Sequence, residues 1–378
     1  MNAAPARPDP GVRQLLRWTR FAGDPHGTGP EKRTAQIRAL CEAAGFGISD
    51  MAPPQTTPRW RARLAGLGPR LRWGAHASVD HAGTGLLGHR ALFYREALAR
   101  HTGARVLLWE TTYDSILPDL ARRAGYRIIA VPHNLESLVS EAVFADPAYD
   151  PLDDLRAEIR RLGRADAVFM IAREERWFLE ARGVAADYLP FYPDPVLTAE
   201  CRRLRERREA QGVAGSDGPL LVLGSALNPA TARGMRLQLD WLSSSPDPRP
   251  PVVVAGRESG RVLGDCARAG VTVLGDVSRD QLTALMETCR ALLIHTVGGA
   301  GAVTRIPEAL LAGVPVIANP NAARDQPATP GVHVYADEAE FHGLVRARLP
   351  LPPAPPAPIA AGIRFTEQLR RLSEGSHA

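Results

Sequence analysis

Leu292–Asn319 reads LLIHTVGGAGAVTRIPEALLAGVPVIAN, and this stretch decides the fold. Its first residues, LLIH, form an apolar run of strand length. Gly298, Gly299 and Gly301 follow, and glycines let the backbone turn sharply and approach a ligand closely. A helix is expected from about Thr304, whose hydroxyl can cap it. Pro307 is tolerable in the first turn, where N–H groups lack helical partners. Gly313 suits the position just past the helix and Pro315 forbids continuation, so Val314–Ala318 is a second buried strand. The helix therefore turns its free N–H groups toward the glycine turn, which makes a ready site for an anion. Arg305 and Glu308 are the charged residues of this otherwise apolar helix.

Working outward, the second half of the chain repeats the same rhythm. Strands are expected at Leu220–Gly224, Val252–Ala255, Val271–Leu274, Ala291–His295, Val314–Ala318 and Val332–Tyr335. Helices are expected at Gly234–Leu242, Gly260–Ala269, Arg279–Thr288 and Arg305–Ala312. Strand–helix alternation at this spacing gives a parallel sheet of Rossmann type. The rhythm already starts near Gly88, with helices at Arg90–Arg100, Ser115–Ala124, Leu155–Leu162 and Arg173–Arg182. The strands between are Arg105–Trp109, Arg127–Val131, Ala167–Ile171 and Tyr188–Tyr192. Glu110 ends one of these strands, and Pro132-His133-Asn134-Leu135-Glu136-Ser137 directly follows another, on the ligand edge of an open α/β sheet.

Toward the N-terminus the reading weakens. Residues 1–11 read as disordered and Val12–Thr19 as a poor strand. FAGDPHGTGPEKRTAQ reads as a glycine loop entering a helix over Glu31–Ala44. Ser49–Leu71 reads as irregular, with Pro53, Pro54, Pro58 and Pro69; loops this long inside a domain are often functional lids or binding loops. Trp60 and Trp73 are either docking or core tryptophans. The adjacent Asp80 and His81 read as a surface turn rather than a metal site.

The domain organisation expected is 1–198, a linker over 199–218, a second domain over 219–348, and a tail over 349–378. The tail begins with the stiff, proline-rich Leu349–Pro358. An amphipathic helix over Ala361–Ser373 follows, placing Phe365, Leu369 and Leu372 on one face and crossing back to the first domain.

Composition excludes several classes. Of 378 residues, 45% are hydrophobic, and no apolar run approaches the ~20 residues that span a bilayer. The N-terminus lacks a signal-peptide core, so a cytoplasmic address is expected, with peripheral membrane contact left open. Four scattered cysteines suggest neither a zinc site nor a disulfide framework. The net charge is +5, but in LRAEIRRLGR and CRRLRERREA the arginines alternate with acids, as on solvated helix faces; no nucleic-acid partner is expected. Lys32 is the sole lysine. Phosphate recognition therefore falls to arginine and backbone N–H groups.

These motifs together resemble the GT-B glycosyltransferases, and Gly275–Asn319 resembles the donor half of their retaining, family-4-like group. The matching residues are Gly275-Asp276-Val277-Ser278 with Leu282, and Gly301 followed by Glu308-Ala309-Leu310-Leu311-Ala312-Gly313-Val314-Pro315-Val316-Ile317-Ala318. LLVLGSALNPATAR (220–233) is similar to the family's first donor-side strand and loop, and ADAVFMIAREERWFL (165–179) to the segment before its linker. The resemblance implies two Rossmann-like domains facing a cleft. It implies a nucleoside diphosphate sugar, of UDP or GDP type, as co-substrate, and a small-molecule or glycan acceptor. It places Glu308 on the ribose hydroxyls, Gly224, Ser225 and Arg233 at the donor phosphates, and the loop and helix start at Gly301 and Thr304 on the diphosphate; Asn228 and Arg257 are further donor-binding candidates, and Arg305, three residues before Glu308, suits the part of a replacement phosphate ligand. His133 falls near the reacting sugar, with Glu110 and Glu136 as further catalytic candidates.

One departure stands out: the family's first glutamate would fall at position 300, which is Ala300. Nothing in the chain matches a D-x-D motif, so a metal-independent enzyme is expected. Other chemistry on the same fold (epimerisation or pseudo-glycosyl coupling) and an inactive nucleotide-binding partner are the alternatives.

Overall fold

The computed structural model describes residues 13–51, 58–73, 84–101, 103–112, 116–139, 151–212, 218–244, 250–266, 270–326 and 328–374. The expectations for 1–11, for Asp80 and His81, and for most of the run 212–219 lie outside them. The chain divides into two compact units.

The first unit holds residues up to Asp24, Arg33–Pro190 and the chain from Pro358. Its strands are β1 (Arg13–Trp18), β2 (Phe46–Asp50), β3 (Val106–Trp109), β4 (Arg127–Ala130), β5 (Ala167–Met170) and β6 (Asp187–Tyr188). They form one parallel sheet in the order β2-β1-β3-β4-β5-β6. Its helices are α1 (Gly29–Ala43), α2 (Arg59–Trp73), α3 (Thr84–Arg100), α4 (Leu117–Arg123), α5 (Pro151–Leu162) and α6 (Arg173–Ala181). The terminal helix α14 (Ile359–Glu374) completes the unit, burying Phe365 and Leu369 against it. Phe365 meets Phe169 of β5 edge-on at 5.2 Å. The tail therefore returns to the first unit, as its i, i+4 apolar spacing implies.

The second unit holds Pro25–Lys32 and Phe191–Ala357. Helix α7 (Pro195–Ala210) leads into β7 (Leu220–Leu223), α8 (Pro229–Ser244), β8 (Val252–Ala255), α9 (Ser259–Leu263), β9 (Val271–Gly275) and α10 (Arg279–Thr288). Then come β10 (Ala291–Ile294), α11 (Arg305–Leu311), β11 (Val316–Ala318), α12 (Pro320–Ala323), β12 (Val332–Val334) and α13 (Glu338–Arg346). The parallel sheet runs β12-β11-β10-β7-β8-β9. Counted within the unit this is 6-5-4-1-2-3, the strand order of dinucleotide-binding folds. Every residue of β10 is buried, as expected for a strand covered by helices on both faces.

Three expectations are corrected. β1 is an interior strand although Val12–Thr19 reads poorly as one, because Arg17 is buried in it (1% exposed). Its guanidinium donates to both oxygens of Asp50 in β2, at 2.6 and 2.9 Å, so the charge that argues against burial is neutralised across the sheet. Of Ser49–Leu71, read as irregular, the part from Arg59 lies in α2; arginine, leucine and alanine outweigh the glycines and Pro69. The arginine-rich helices are not merely solvated. In α5, Glu158 is fully buried, and in α7 Arg208 is fully buried, its guanidinium donating to the carbonyls of Met286, Glu287, Cys289 and Gly313.

Candidate functional site

In an open α/β sheet, ligands meet the carboxyl ends of the strands where the strand order reverses. In the second unit that point lies between β7 and β10. Gly224 follows β7, and the glycine loop follows β10. Gly298, Gly299 and Gly301 all have φ between 77° and 90°, the left-handed region that glycine enters at little cost. The loop is held from α12's side: Asn321 donates to the Gly298 carbonyl at 2.7 Å, and Arg324 to the carbonyls of Gly299 and Gly301 at 2.8 and 2.9 Å. Neither residue stands out in the sequence, because their role depends on a turn more than 20 positions away.

Helix α11 then begins. Thr304 occupies the cap position, but its backbone is already helical and its hydroxyl makes no capping bond, contrary to expectation. Instead Thr304 is buried against the first residue of α1: a Cβ at Gly29 would lie 3.3 Å from Thr304 Oγ1. The far end of α11 matches the expectation. Gly313 has φ of 74°, its N–H donates to the Leu310 carbonyl, and the Val314 N–H donates to that of Ala309. This is the Schellman arrangement.

Glu308 sits in the first turn of α11. Its Oε2 accepts from Lys32 Nζ at 2.6 Å, and both side chains are 14% exposed. Its Oε1 is buried without a hydrogen-bond partner among the described residues. The sole lysine of the chain thus meets a carboxylate 276 positions away. The sequence reveals that Lys32 is unique and conceals what it touches. A cavity of about 390 Å³ opens beside the pair, its lining including Glu200, Ser278, Arg279 and Leu282. Arg279 and Glu200 form an ion pair.

Arg305 turns toward the switch point, Nη1 donating to the Leu223 carbonyl at 2.7 Å. Burial lowers its pKa below the ordinary guanidinium value, and Glu308 acts in the opposite direction. Gly224 makes room for it, since a Cβ there would come 2.7 Å from Arg305 Nη1. The remaining donor-side residues behave differently from one another. Ser225 is half-buried, and Asn228 uses its carbonyl oxygen to cap α8, accepting from the Ala230 and Thr231 N–H groups. Arg233 and Arg257 are exposed.

Behind β10, His295 accepts or donates at Nδ1 to the Tyr335 hydroxyl at 2.8 Å. Burial lowers its pKa below 6.5. The neutral ring therefore contributes stability that is full above pH 6.5 and is lost as the pH falls. An NMR titration is expected to find its midpoint below 6.5; a midpoint above would contradict this.

In the first unit, β1, β3 and β4 are neighbours, so the residues at their carboxyl ends meet. His133 Nε2 stands 3.5 Å from Glu110 Oε2. Glu110 is fully buried. It accepts from Thr34 Oγ1 at 2.6 Å and lies 3.6 Å from Arg17 Nη1. Burial alone would raise its pKa, but His133, Arg17 and Thr34 outweigh that and lower it. Phe21 packs edge-on against the His133 ring at 5.0 Å. Glu136 does not join this group: its carboxylate faces the Asn134 amide. Its backbone N–H donates to Glu158, which also holds Ser137 and Thr112. Glu158 and Glu175, which accepts from the Leu135 N–H, together fix the loop that carries His133. Among the described residues no group of three or more His, Cys, Asp or Glu is placed to hold a metal ion.

Two Rossmann-like units, with the terminal helix counted in the first, give this chain the GT-B fold. No protein-family model matches it, and neither does any curated protein. Solved structures do. Anabaena HepE in complex with UDP aligns over 95% of this chain and 99% of its own, with a TM-score of 0.58 and 13% identity. Sucrose-phosphate synthase from Thermosynechococcus elongatus aligns over 95% and 99%, with a TM-score of 0.59 and 13% identity. A UDP-forming trehalose-phosphate synthase from Burkholderia xenovorans, in complex with glucose-6-phosphate, aligns over 96% of both chains, with a TM-score of 0.57 and 12% identity.

Proposed function

We propose that this chain is a glycosyltransferase that takes a UDP-type nucleoside diphosphate sugar as donor. It passes the sugar to a small-molecule or glycan acceptor in the cytoplasm, with retention of configuration and without a metal ion. The donor domain is 219–348 and the acceptor domain 1–198. One observation carries the reading: a buried carboxylate oxygen, Glu308 Oε1, lacks a hydrogen-bond donor among the described residues, in the first turn of the helix that follows β10 in a Rossmann-type sheet. A ribose hydroxyl supplies that donor. Leaving such an oxygen unpaired is costly, and satisfying it with a hydroxyl is worth about 1.5–3 kcal/mol. The free N–H groups of Arg305, with Arg233, Arg257 and the glycine loop, take the diphosphate and stabilise its charge as it leaves. The nucleotides in the HepE complexes, UDP and UDP-glucose, support the choice of UDP over GDP.

Calorimetric titration with UDP and GDP tests this. UDP is expected to bind more tightly, and Glu308→Ala to weaken it by about 10- to 100-fold. Glu308→Gln, which keeps the shape beside Lys32, separates lost hydrogen bonding from a lost ion pair. Unchanged UDP binding in both variants would remove the ribose assignment. Binding without transfer or hydrolysis across a panel of donors would instead favour an inactive binding partner, the reading to which Ala300 lends weight.

A further inference from the structure

Helix α2 has two faces of opposite character. Over 59–68 its buried face is built from the smallest residues, Ala62 and Gly66. A Cβ at Gly88 of α3 would lie 1.6 Å from the Ala62 carbonyl oxygen and 2.5 Å from the Gly66 nitrogen. The two helices thus touch backbone to backbone, and over 59–68 this contact leaves the large apolar residues of α2 unused. Those residues, Trp60, Leu64 and Leu67, fall at i, i+4 and i+7 on the other side and are 63%, 61% and 52% exposed. Leu86 of α3 is 46% exposed as well. Single exposed apolar residues are ordinary, but an aligned stripe on one helix face is not.

The charge on α2 is equally one-sided. RWRARLAGLGPRLRW contains five arginines and no acid. Arg59, Arg61 and Arg63 are all exposed. At 3.6 residues per turn, Arg61 falls on one flank of the stripe and Arg59 and Arg63 on the other. Arg61 lies with its Cζ 5.5 Å from the Trp60 ring centroid, keeping a cation beside that exposed indole. An apolar stripe with arginines on both sides and a tryptophan at one end matches the boundary between lipid headgroups and acyl chains. A protein partner buried by such a face would have to answer cations on both flanks. An anionic lipid surface does so without any particular register. No helix among the described residues is long and apolar enough to cross a membrane, so the contact would be one of lying on the surface.

We propose that α2 is an interfacial helix that seats this chain on membranes rich in anionic phospholipid. Trp60, Leu64 and Leu67 enter the headgroup boundary, and the flanking arginines pair with lipid phosphates. The proposal is independent of the nucleotide reading, because none of these residues lines the cavity beside Glu308.

Vesicle co-sedimentation of the full chain tests it, with phosphatidylcholine alone and with phosphatidylcholine mixed with phosphatidylglycerol. Binding to the mixed vesicles is expected to exceed binding to the neutral ones by at least about tenfold and to weaken with added salt. Trp60→Ser/Leu64→Ser is expected to reduce it by at least about tenfold, as is Arg59→Gln/Arg61→Gln/Arg63→Gln. These exposed positions should leave the thermal unfolding midpoint and the calorimetric UDP titration unchanged. Equal binding to neutral and anionic vesicles, or full binding by the Trp60/Leu64 variant, would overturn the proposal. So would a dimer in sedimentation velocity that this variant dissolves, since the stripe would then serve a second copy of the chain.

Discussion

Arg208→Ala is expected to destabilise the second unit by about 3–5 kcal/mol, which corresponds to a change of about two to four orders of magnitude in its folded-to-unfolded ratio. The reason is local. Arg208 is fully buried in α7 and donates to four backbone carbonyls, those of Met286, Glu287 and Cys289 at 2.6–2.9 Å and Gly313 at 3.1 Å. These are the unpaired carbonyls at the C-terminal end of α10 and in the turn after α11, groups that every helix must satisfy outside itself. Arg205, one turn earlier, does the same for Leu310, Leu311 and Pro352. One charged helix thus caps the segment that carries Glu308. Removing the guanidinium leaves buried carbonyls without donors, and the loss exceeds that of a solvent-exposed ion pair several-fold. Urea unfolding measures it, and Arg208→Lys should recover part of the loss. A cost below about 1 kcal/mol would mean that water replaces the guanidinium.

Glu110→Gln is expected to act on both stability and turnover. The carboxylate is fully buried with Arg17 1% exposed beside it, and breaking a buried pair by neutralising one partner costs about 3–5 kcal/mol. The lower end is expected here, because Arg17 keeps Asp50. The sign of the pH dependence follows from the lowered pKa of Glu110. Its contribution is complete above the ordinary carboxylate value and disappears as the pH falls through the lower folded value. Unfolding titrations from neutral to acid pH should therefore be steeper for the parent chain than for the variant. Under the proposed function, Glu110 positions His133, and kcat should fall by about 100-fold or more while UDP affinity stays constant. An unchanged kcat would separate the Glu110–His133 pair from the reaction.

The pattern of what the sequence discloses has a physical basis. The central strands of the second half, β7, β8, β10 and β11, are legible because they are largely buried and read as continuous apolar runs, as ALLI in β10 does. Gly313 is legible because a helix end imposes a backbone conformation that few residues adopt. β1 is hidden because its buried arginine finds its partner in another strand, and α2 because its glycines and proline resemble a loop. Asn321 and Arg324 are hidden for a different reason. They hold the glycine loop through its carbonyls, and any chain segment brought to that place could have offered the donors. Glu308 is readable as a candidate from its position, but its oxygen without a partner and its bond to Lys32 exist only in three dimensions.

That bond has a practical side. The 378-residue chain contains 45 arginines and one lysine, so its only side-chain primary amine is the one resting on Glu308. Reagents that acylate amines will find this position and the chain's own α-amino group. Mass spectrometry of a briefly labelled sample then becomes a one-site occupancy gauge, in which a shielded Lys32 marks a filled cavity. The same economy makes general lysine-directed immobilisation a poor choice for this protein, because its anchor would fall inside the site under study.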